Sequence, residues 1–452
     1  VTARLHLVRP DPNVPNVPHV PHAPHVVRAP YLPTAMLDSA VTYPVDSGVA
    51  VTSQVPDDLP THVLRFGERP SARGGAGPRL LDTLEHTGLD GRGGGRFPAA
   101  AKWRTHLAAG GGGLVVANGA ESEPASAKDA TLLQYRTHLV LDGLACAAEV
   151  VGARATVVWL HEGAPAVHAA VVRALDERRA AGLIEPPVRI AVGPDRYLSG
   201  ESSAIVRALS GGPALPDFRR VPAAVSGVAG RPTLVHNVET LARTALAARP
   251  GAGDRAQTTM LTVATAWGRT VVEVAASTRL SQVVDDVLGP GSSRDHQAIL
   301  VGGYGGTWIA AHMLGTLRAT ESIARLHGLS LGAGVLLPLH RHSCGLAETA
   351  AIAAYLAEAS ARQCGPCVFG LRELADLLAA VVDLRSRRRD AARLQLLLDE
   401  IAGRGACHHP DGAARMVVSA LRTFADDVRS HLRMSGCLHG GVDAFFPVPR
   451  AG

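Results

Sequence analysis

The chain has 452 residues, six cysteines and a formal charge of only +5; that length exceeds one ordinary core, so two or three domains are expected. Hydrophobic residues make up 46% of the chain and aromatics only 4%, so its cores are built mostly from Ala, Val and Leu. So small a charge gives no case for nucleic acid, which needs a clustered basic face, and no segment nears the roughly 18 apolar residues of a membrane span.

The N-terminus lacks the charged-then-apolar pattern of a signal peptide, so a cytoplasmic location with reduced or metal-bound cysteines is expected. Residues 1–60 open with PDPNVPNVPHVPHAPH after the first nine positions. Proline at that frequency forbids helix and removes ladder donors, so a disordered or extended Pro/His-rich segment is predicted. From about Pro78 the pattern changes. RLLDTLEHTGL reads as a short helix ending at Gly88, and a glycine-rich loop follows. GLVVANGAESEP is a β-branched run that stops in a polar loop. HLVLDGLACAAEVV is apolar at helical spacing, and ATVVWLHEG is a buried strand. PAVHAAVVRALDERRAAG has proline near its first turn and glycine at its end, which punctuates a helix. VRIAVGPDRYLSG is strand then loop, and ESSAIVRALSG is a helix with a glycine stop. Strands alternating with helices predict a layered α/β domain over 61–250 with a largely parallel sheet.

A break falls at Ala245–Gln257. Next, TMLTVATAWGRTVVEVAASTRLSQVVDDVLG alternates, turns at Gly268 and ends in a short helix, a small ββα-type module over 257–315. A linking segment then runs to about Leu339. The remainder, 335–440, reads as four helices (345–360, 366–383, 387–402 and 411–432) with short connections, a small bundle. Leu371, Leu374, Leu378 and Val381 share one face of the second. The strongest basic run, LRSRRRDAARL, reads as a solvated helix start.

Cys364 and Cys367 stand in QCGPCVFGL, and Cys407 stands in GRGACHHPDG. The pair opens a helix whose unpaired N–H groups and dipole favour thiolate, and Cys407 opens another. The three can converge on a metal, act as a Cys-Gly-Pro-Cys redox pair with a bystander, or only pack. A redox pair of that kind belongs at the helix of a βαβ unit, whereas this one lies in an all-helical region. Adding His408 or His409 makes a Cys3His zinc set.

Four motifs occur in order: GRGGGRFP at Gly91–Pro98 with Lys102 and Trp103 just after, NGAESEPASAKD at Asn118–Asp129, YLSGESSA at Tyr197–Ala204 and GVAGRPTLVHNVETL at Gly227–Leu241. With the cysteines that follow, the chain from about Pro78 to Gly440 resembles the NADH-oxidising flavoprotein subunit of respiratory complex I and its relatives in NAD-reducing hydrogenases and formate dehydrogenases. The resemblance implies an α/β fold in three parts. These are a Rossmann-like FMN-binding domain, a small ubiquitin-like (SLBB-like) ββα module, and a C-terminal four-helix bundle with an iron–sulfur motif for a [4Fe–4S] cluster. It implies hydride transfer from NADH to FMN and release of single electrons to the cluster. Gly91, Gly93 and Gly94 would let the backbone approach phosphate or flavin closely. Arg92 and Lys102 would supply charge, and Phe97 a stacking face. Asn118, Glu121, Glu123, Tyr197, Gly200, Glu201 and Asn237 fall on cofactor-contact positions, with Glu123 and Lys102 as the catalytic pair. Cys364, Cys367 and Cys407 would ligate the metal. NADH and a ferredoxin-like or other iron–sulfur acceptor are the implied partners.

The sequence departs from the family pattern at definite places. Ala361 stands at the first cluster cysteine, Ala120 and Ser202 replace acids, Arg96 replaces a loop glycine, and His236 replaces an asparagine. Thr105 and Pro222 stand where the family has adenine-stacking aromatics. Flavin contacts therefore survive better than NAD(H) contacts. The cluster is expected to be incomplete, open at one iron or histidine-capped. The alternative is a degenerate non-catalytic paralogue whose Cys3His zinc or incomplete cluster site serves a binding module.

Overall fold

A computed structural model of the chain describes residues 35–45, 50–218, 221–250, 258–326, 328–386, 388–433, 436–439 and 443–449. Its first elements are strand β1 (Val41–Pro44) and helices α1 (Leu59–Phe66), α2 (Ala76–His86) and α3 (Ala99–Ala108). Then come β2 (Leu114–Asn118), α4 (Lys128–Tyr135), α5 (Thr137–Val151), β3 (Ala155–His161), α6 (Pro165–Ala180), β4 (Val188–Gly193), α7 (Ser202–Leu209), β5 (Thr233–Asn237) and α8 (Val238–Ala247). Strands β2 to β5 form a parallel four-stranded sheet in the order β4-β3-β2-β5. Parallel strands covered on both faces need near-continuous apolar runs, which LVVAN and ATVVWLH supply. Helices α5 and α8 pack at backbone distance: a Cβ on Gly143 would overlap the carbonyl oxygen of Leu241.

The second sheet has six strands in the order β1-β7-β6-β10-β8-β9. They are β6 (Thr258–Thr265), β7 (Gly268–Ala275), β8 (His296–Val301), β9 (Thr307–Ala310) and β10 (Val335–His340), together with β1; α9 (Leu280–Leu288) and α10 (Glu321–Leu326) lie between them in sequence. All pairings are antiparallel except β6 with β10. Sequence reading foresaw β6, the turn at Gly268, β7 and α9, and it missed the rest. The expected linking segment to Leu339 contains β10, paired between β6 and β8. A short apolar run such as VLLPLH carries no period that separates strand from loop or buried helix.

The disordered or extended reading of 1–60 gives way to packed structure over residues 35–45 and 50–60; the Pro/His run itself lies outside the described residues. Arg136 gathers this segment. Its fully buried guanidinium donates to the carbonyls of Met36 (2.6 Å) and Val55 (3.0 Å) and pairs with Asp38 (2.9 Å) and Asp57 (3.2 Å). A buried guanidinium needs its donors satisfied, and the N-terminal segment supplies most of the acceptors, with the Tyr135 carbonyl (2.8 Å) adding one. That anchoring delivers β1 to the edge of β7.

The C-terminal region is helical: α11 (Gly345–Glu358), α12 (Leu371–Val382), α13 (Arg388–Ile401), α14 (His409–Thr423) and α15 (Ala425–Leu432). Leu371, Leu374, Leu378 and Val381 are buried, as their spacing requires. The single fourth helix expected over 411–432 breaks at Phe424, whose φ of −108° and ψ of 35° leave the helical region. Its ring fills the space over Gly345, where a Cβ would collide with it. Among the described residues, no helix is long and apolar enough to cross a membrane.

Candidate functional site

Asn118 and Asn237 end neighbouring parallel strands and are register partners. Both therefore reach the carboxyl edge of the four-stranded sheet, the edge at which open α/β sheets take ligands. The glycine loop folds over that edge. The Gly91 N–H bonds the Phe97 carbonyl (2.8 Å), closing the loop on itself. Gly93 lies so close to Asn237 that a Cβ would come within 3.3 Å of its side chain. Gly94 has φ 88°, and nothing lies within 4 Å of a Cβ on Gly94 or Gly95. The loop is thus pinned at one side and open at the other.

Arg96 takes the place of a glycine and keeps the glycine's backbone, with φ 46°. A non-glycine residue there costs about 1–2 kcal/mol. Its buried guanidinium offsets this by donating to the Gly332 carbonyl (2.9 Å) beside Glu321 (3.7 Å), which fastens the loop to the six-stranded sheet's unit.

Lys102 projects from α3 beneath the loop. Its Nζ donates to the Val235 carbonyl (2.6 Å), and no carboxylate pairs with it among the described residues. Burial pulls it down to about 8, with the more distant Glu201 opposing. An enclosed ammonium with one neutral partner is a half-made anion site. Arg92 departs from expectation. Its Nη1 donates to Thr259 (2.9 Å), its Nε is buried without a partner, and burial pulls it down to about 9. Its charge is turned into the joint between the sheets rather than offered to the cradle. Phe97 is 58% exposed, an uncovered ring at the loop's end.

The acids divide. Glu121 and Glu201 do not project into the cradle, because both are engaged at helix starts. Glu121 accepts from the N–H groups of Asp129 (3.0 Å) and Ala130 (2.9 Å), and Glu201 from those of Ser203 (2.8 Å) and Ala204 (3.2 Å). Donors left over at a helix N-terminus attract the nearest carboxylate. Glu123 differs. Its Oε2 accepts from the Tyr304 N–H (3.0 Å) and the Tyr197 hydroxyl (3.2 Å), while its Oε1 is buried without a partner. Burial pushes it up to about 7 against those two bonds. Asn118 donates to the Gly200 carbonyl (2.8 Å), and a Cβ on Gly200 would strike Ser122. Asn237 caps α8, donates to Asp129 (2.5 Å) and lies 3.4 Å from the Lys128 ammonium.

Sequence reading gave no role to the buried network behind Asn237. Lys128 pairs with Asp129 (2.6 Å) and Glu239 (3.2 Å), and Glu239 with Arg243 (2.9 Å). Burial would raise Glu239, but Lys128, Arg243, Arg92 and Arg96 hold it well below the carboxylate range. Lys128, Asp129 and Glu239 all stand inside the second and fourth motifs, which was the available signal.

The three cysteines come together at the opposite flank of the same loops. Burial pushes the Cys367 thiol up to about 12, and the neighbouring Cys364 and Cys407 add to it. Gln363 docks this turn on the α/β unit by accepting from Arg207 (2.9 Å) and donating to the Pro216 carbonyl (2.7 Å). The Cys407 thiol is raised by burial, and Glu201 raises it further. Tyr197 spans the gap: its hydroxyl meets Glu123 and its ring lies 5.5 Å from that of His409, two residues past Cys407.

The donors fit the expected groups unequally. FMN fits: the open loop and the carboxylate-free Lys102 suit a phosphate, and Oε1 of Glu123, between Tyr197 and Tyr304, is an orphaned polar atom. For the cluster, Cys364 and Cys407 neighbour Cys367 and Ala361 brings no donor, so these residues would supply three thiolates. The histidine cap and the Cys3His zinc set are not formed. His408 is fully exposed beside Asp411 (3.5 Å), and the Nε2 of His409 bonds the Leu356 carbonyl (2.8 Å). Tetrahedral zinc brings sulfurs to roughly 3.8 Å from one another, and the sulfurs of Cys364, Cys367 and Cys407 do not form so tight a group.

Comparison with known proteins gives the same division. Residues 84–245 match the Nuo51 FMN-binding domain, and residues 347–431 match the NADH-ubiquinone oxidoreductase-F iron-sulfur binding region. An NADH-quinone oxidoreductase subunit from Rhodobacter capsulatus is 24% identical over 376 residues, covering 78% of this chain and 87% of the relative. The NADP-reducing hydrogenase subunit HndC of Solidesulfovibrio fructosivorans is 24% identical over 378 residues, covering 79% and 77%. A crystal structure of NAD+-reducing [NiFe]-hydrogenase in the H2-reduced state shares the fold, with a TM-score of 0.71 at 23% identity over 84% of this chain and 68% of that one. The chain thus carries, in order, the FMN-binding and iron-sulfur binding regions of the NADH-quinone oxidoreductase F-type subunits and resembles such a subunit over most of its length.

Proposed function

We propose that the chain is an electron-transfer flavoprotein that oxidises NADH at the Gly91–Phe97 cradle and delivers electrons towards Cys364, Cys367 and Cys407. The observation that carries this reading is Lys102, a half-buried ammonium without a carboxylate partner, following an open glycine loop at the carboxyl edge of a parallel sheet. When bound, FMN supplies a two-electron hydride acceptor that can also give electrons singly. Lys102 and the loop N–H groups would hold its phosphate, and Gly94 and Gly95 leave the loop backbone open to a close approach. Glu123, held near neutrality by burial, keeps or yields a proton at Oε1. Tyr197 sets the spacing between cradle and cysteines. The three cysteines would hold an iron–sulfur cluster with one iron free of protein thiolate. We further assign the six-stranded sheet with α9 as the ubiquitin-like module and a separate iron–sulfur protein as electron acceptor.

NADH binding is weaker than in a full family member. Phe97 is the one ring at the adenine positions, since Thr105 and Pro222 offer none. Each lost stacking face costs on the order of 1 kcal/mol, and the hydrogen bonds lost at Ala120 and Ser202 cost roughly as much each. These four losses together weaken binding by roughly 1,000-fold. Flavin and iron counting on an anaerobic preparation, followed by NADH titration of the flavin absorbance, tests both statements. The expected result is stoichiometric FMN, bound iron, and flavin bleaching that saturates only at high NADH. Absence of flavin sinks the main reading, and bleaching by micromolar NADH sinks the weak-binding one.

A further inference from the structure

Away from Cys364, Cys367 and Cys407, we propose a second metal centre, a zinc site made by Cys344, His431 and Cys437, that fastens the C-terminal segment to the helical region. The three ligand atoms lie within 4.8 Å of one another, the only such group of three His, Cys, Asp or Glu among the described residues. Cys344 Sγ and His431 Nε2 are 3.8 Å apart. With Zn–S near 2.3 Å and Zn–N near 2.0–2.1 Å, tetrahedral ligands stand roughly 3.5–3.8 Å apart, so the ligands need close in only by a fraction of their present spacing.

The surroundings of each ligand suit a metal. His431 is fully buried at the end of α15, and its Nδ1 lies 3.2 Å from the Val381 carbonyl. That bond puts the proton on Nδ1 and turns the lone pair of Nε2 towards the sulfurs, the arrangement found around metal-bound histidines. Cys344 is the residue before α11, and the N–H groups of Leu346 and Ala347 point at its sulfur. The Cys437 sulfur receives the His439 N–H (3.4 Å). Backbone donors aimed at sulfur stabilise thiolate. A divalent cation would replace the protons of both thiols and be held by the two sulfurs and the Nε2 of His431.

Zinc is the cation these donors select, since two thiolates and an imidazole are soft to borderline ligands and the geometry is that of a tetrahedral corner. His439 does not complete the set: its Nδ1 lies 2.8 Å from the Arg341 carbonyl and its Nε2 lies 3.1 Å from Asp427. The fourth position is therefore left to water. The three ligands come from the residue before α11, the end of α15 and the segment beyond it, so one ion ties that segment to both helices.

Cobalt substitution of chelator-stripped, full-length protein tests the site. One equivalent of Co(II) should give thiolate-to-cobalt charge transfer and tetrahedral d–d bands. A Cys364→Ser, Cys367→Ser, Cys407→Ser triple variant should keep those bands, and a Cys344→Ser, Cys437→Ser double variant should lose them. No such spectrum in the wild type, or its loss in the triple variant and survival in the double one, overturns the proposal. A measurement on the unaltered chain guards against a misfolded variant. Alkylation of Cys437 should be at least tenfold slower with zinc than after chelation. Equal rates, or a Cys344–Cys437 disulfide in the intact mass of freshly purified protein, overturn the proposal.

Discussion

Lys102 shows how a single side chain can carry both stability and affinity. Burial holds it at about 8, below its value in an unfolded chain. Between pH 8 and about 10.5 the unfolded chain keeps the proton that the folded one has released, so the stability of the flavin-free protein rises with pH across that window. Flavin affinity runs the other way. The phosphate pairs with the ammonium, which is present below pH 8 and lost above it. Fluorescence titrations of FMN from pH 7 to 10 should show affinity falling by about tenfold per pH unit above 8. Lys102→Ala should bind FMN on the order of 10–100-fold more weakly, with the slope abolished; Lys102→Arg should restore binding and move the fall to higher pH. A wild-type profile that stays flat to pH 10 removes Lys102 from the phosphate site.

Helices α5 and α8 depend on Gly143 as the cradle depends on Gly93. A methyl group on Gly143 would overlap the Leu241 carbonyl, and neither helix can retreat, because almost every residue of α5 is buried. Gly143→Ala should therefore destabilise by about 2–3 kcal/mol through overpacking, although alanine is the better helix former by about 1 kcal/mol. Urea unfolding followed by circular dichroism would reveal it, and an unchanged midpoint would mean that the helices separate freely. Asn237 caps α8 and touches Gly93, so the same displacement should also weaken flavin binding. Fold and site are coupled here through one short helix.

The final segment ties the sheets to the helices. Glu348 of α11 accepts from the N–H groups of Phe445 (2.6 Å) and Phe446 (3.1 Å). Phe446 stacks on Trp308 (5.8 Å between centroids, 16° between planes), and the Tyr304 hydroxyl donates to the Pro447 carbonyl (2.8 Å). Tyr304 also bonds Glu123 through its N–H, so the segment supports the site from behind. Ending the chain after residue 433 would bare a stacked phenylalanine's pocket and leave a buried carboxyl unsatisfied, a loss of about 3 kcal/mol or more. The lowest thermal transition should fall by several degrees, with faster proteolysis between the sheet and the helices. Retention of the full transition temperature would show that the segment only rests on the surface.

The sequence by itself determined the elements with a clear period or punctuation: β2, β3, the helix from Pro165 to its glycine stop, the hairpin at Gly268 and the buried face of α12. It also singled out the candidate site, because glycines, a lysine beside them and paired cysteines have chemical meaning wherever they fall. It did not reveal β1, β8, β9 and β10, which are short and become strands only by pairing with residues far along the chain. Nor did it show how the acids are used. Glu121, Glu123 and Glu201 are equivalent in composition, yet two satisfy helix ends and one is left with an orphaned oxygen, a difference set by which N–H groups lie nearest in space. The same holds for the cysteines. An extended helix between Cys344 and Cys364 separates them as the sequence suggests, while the chain's return after α15 brings Cys437 to Cys344 across a distance that no local pattern encodes. Spacing along the chain fixes what a helix or strand can present, and long-range packing, through burial and the demand that each buried polar group find a partner, decides what it meets.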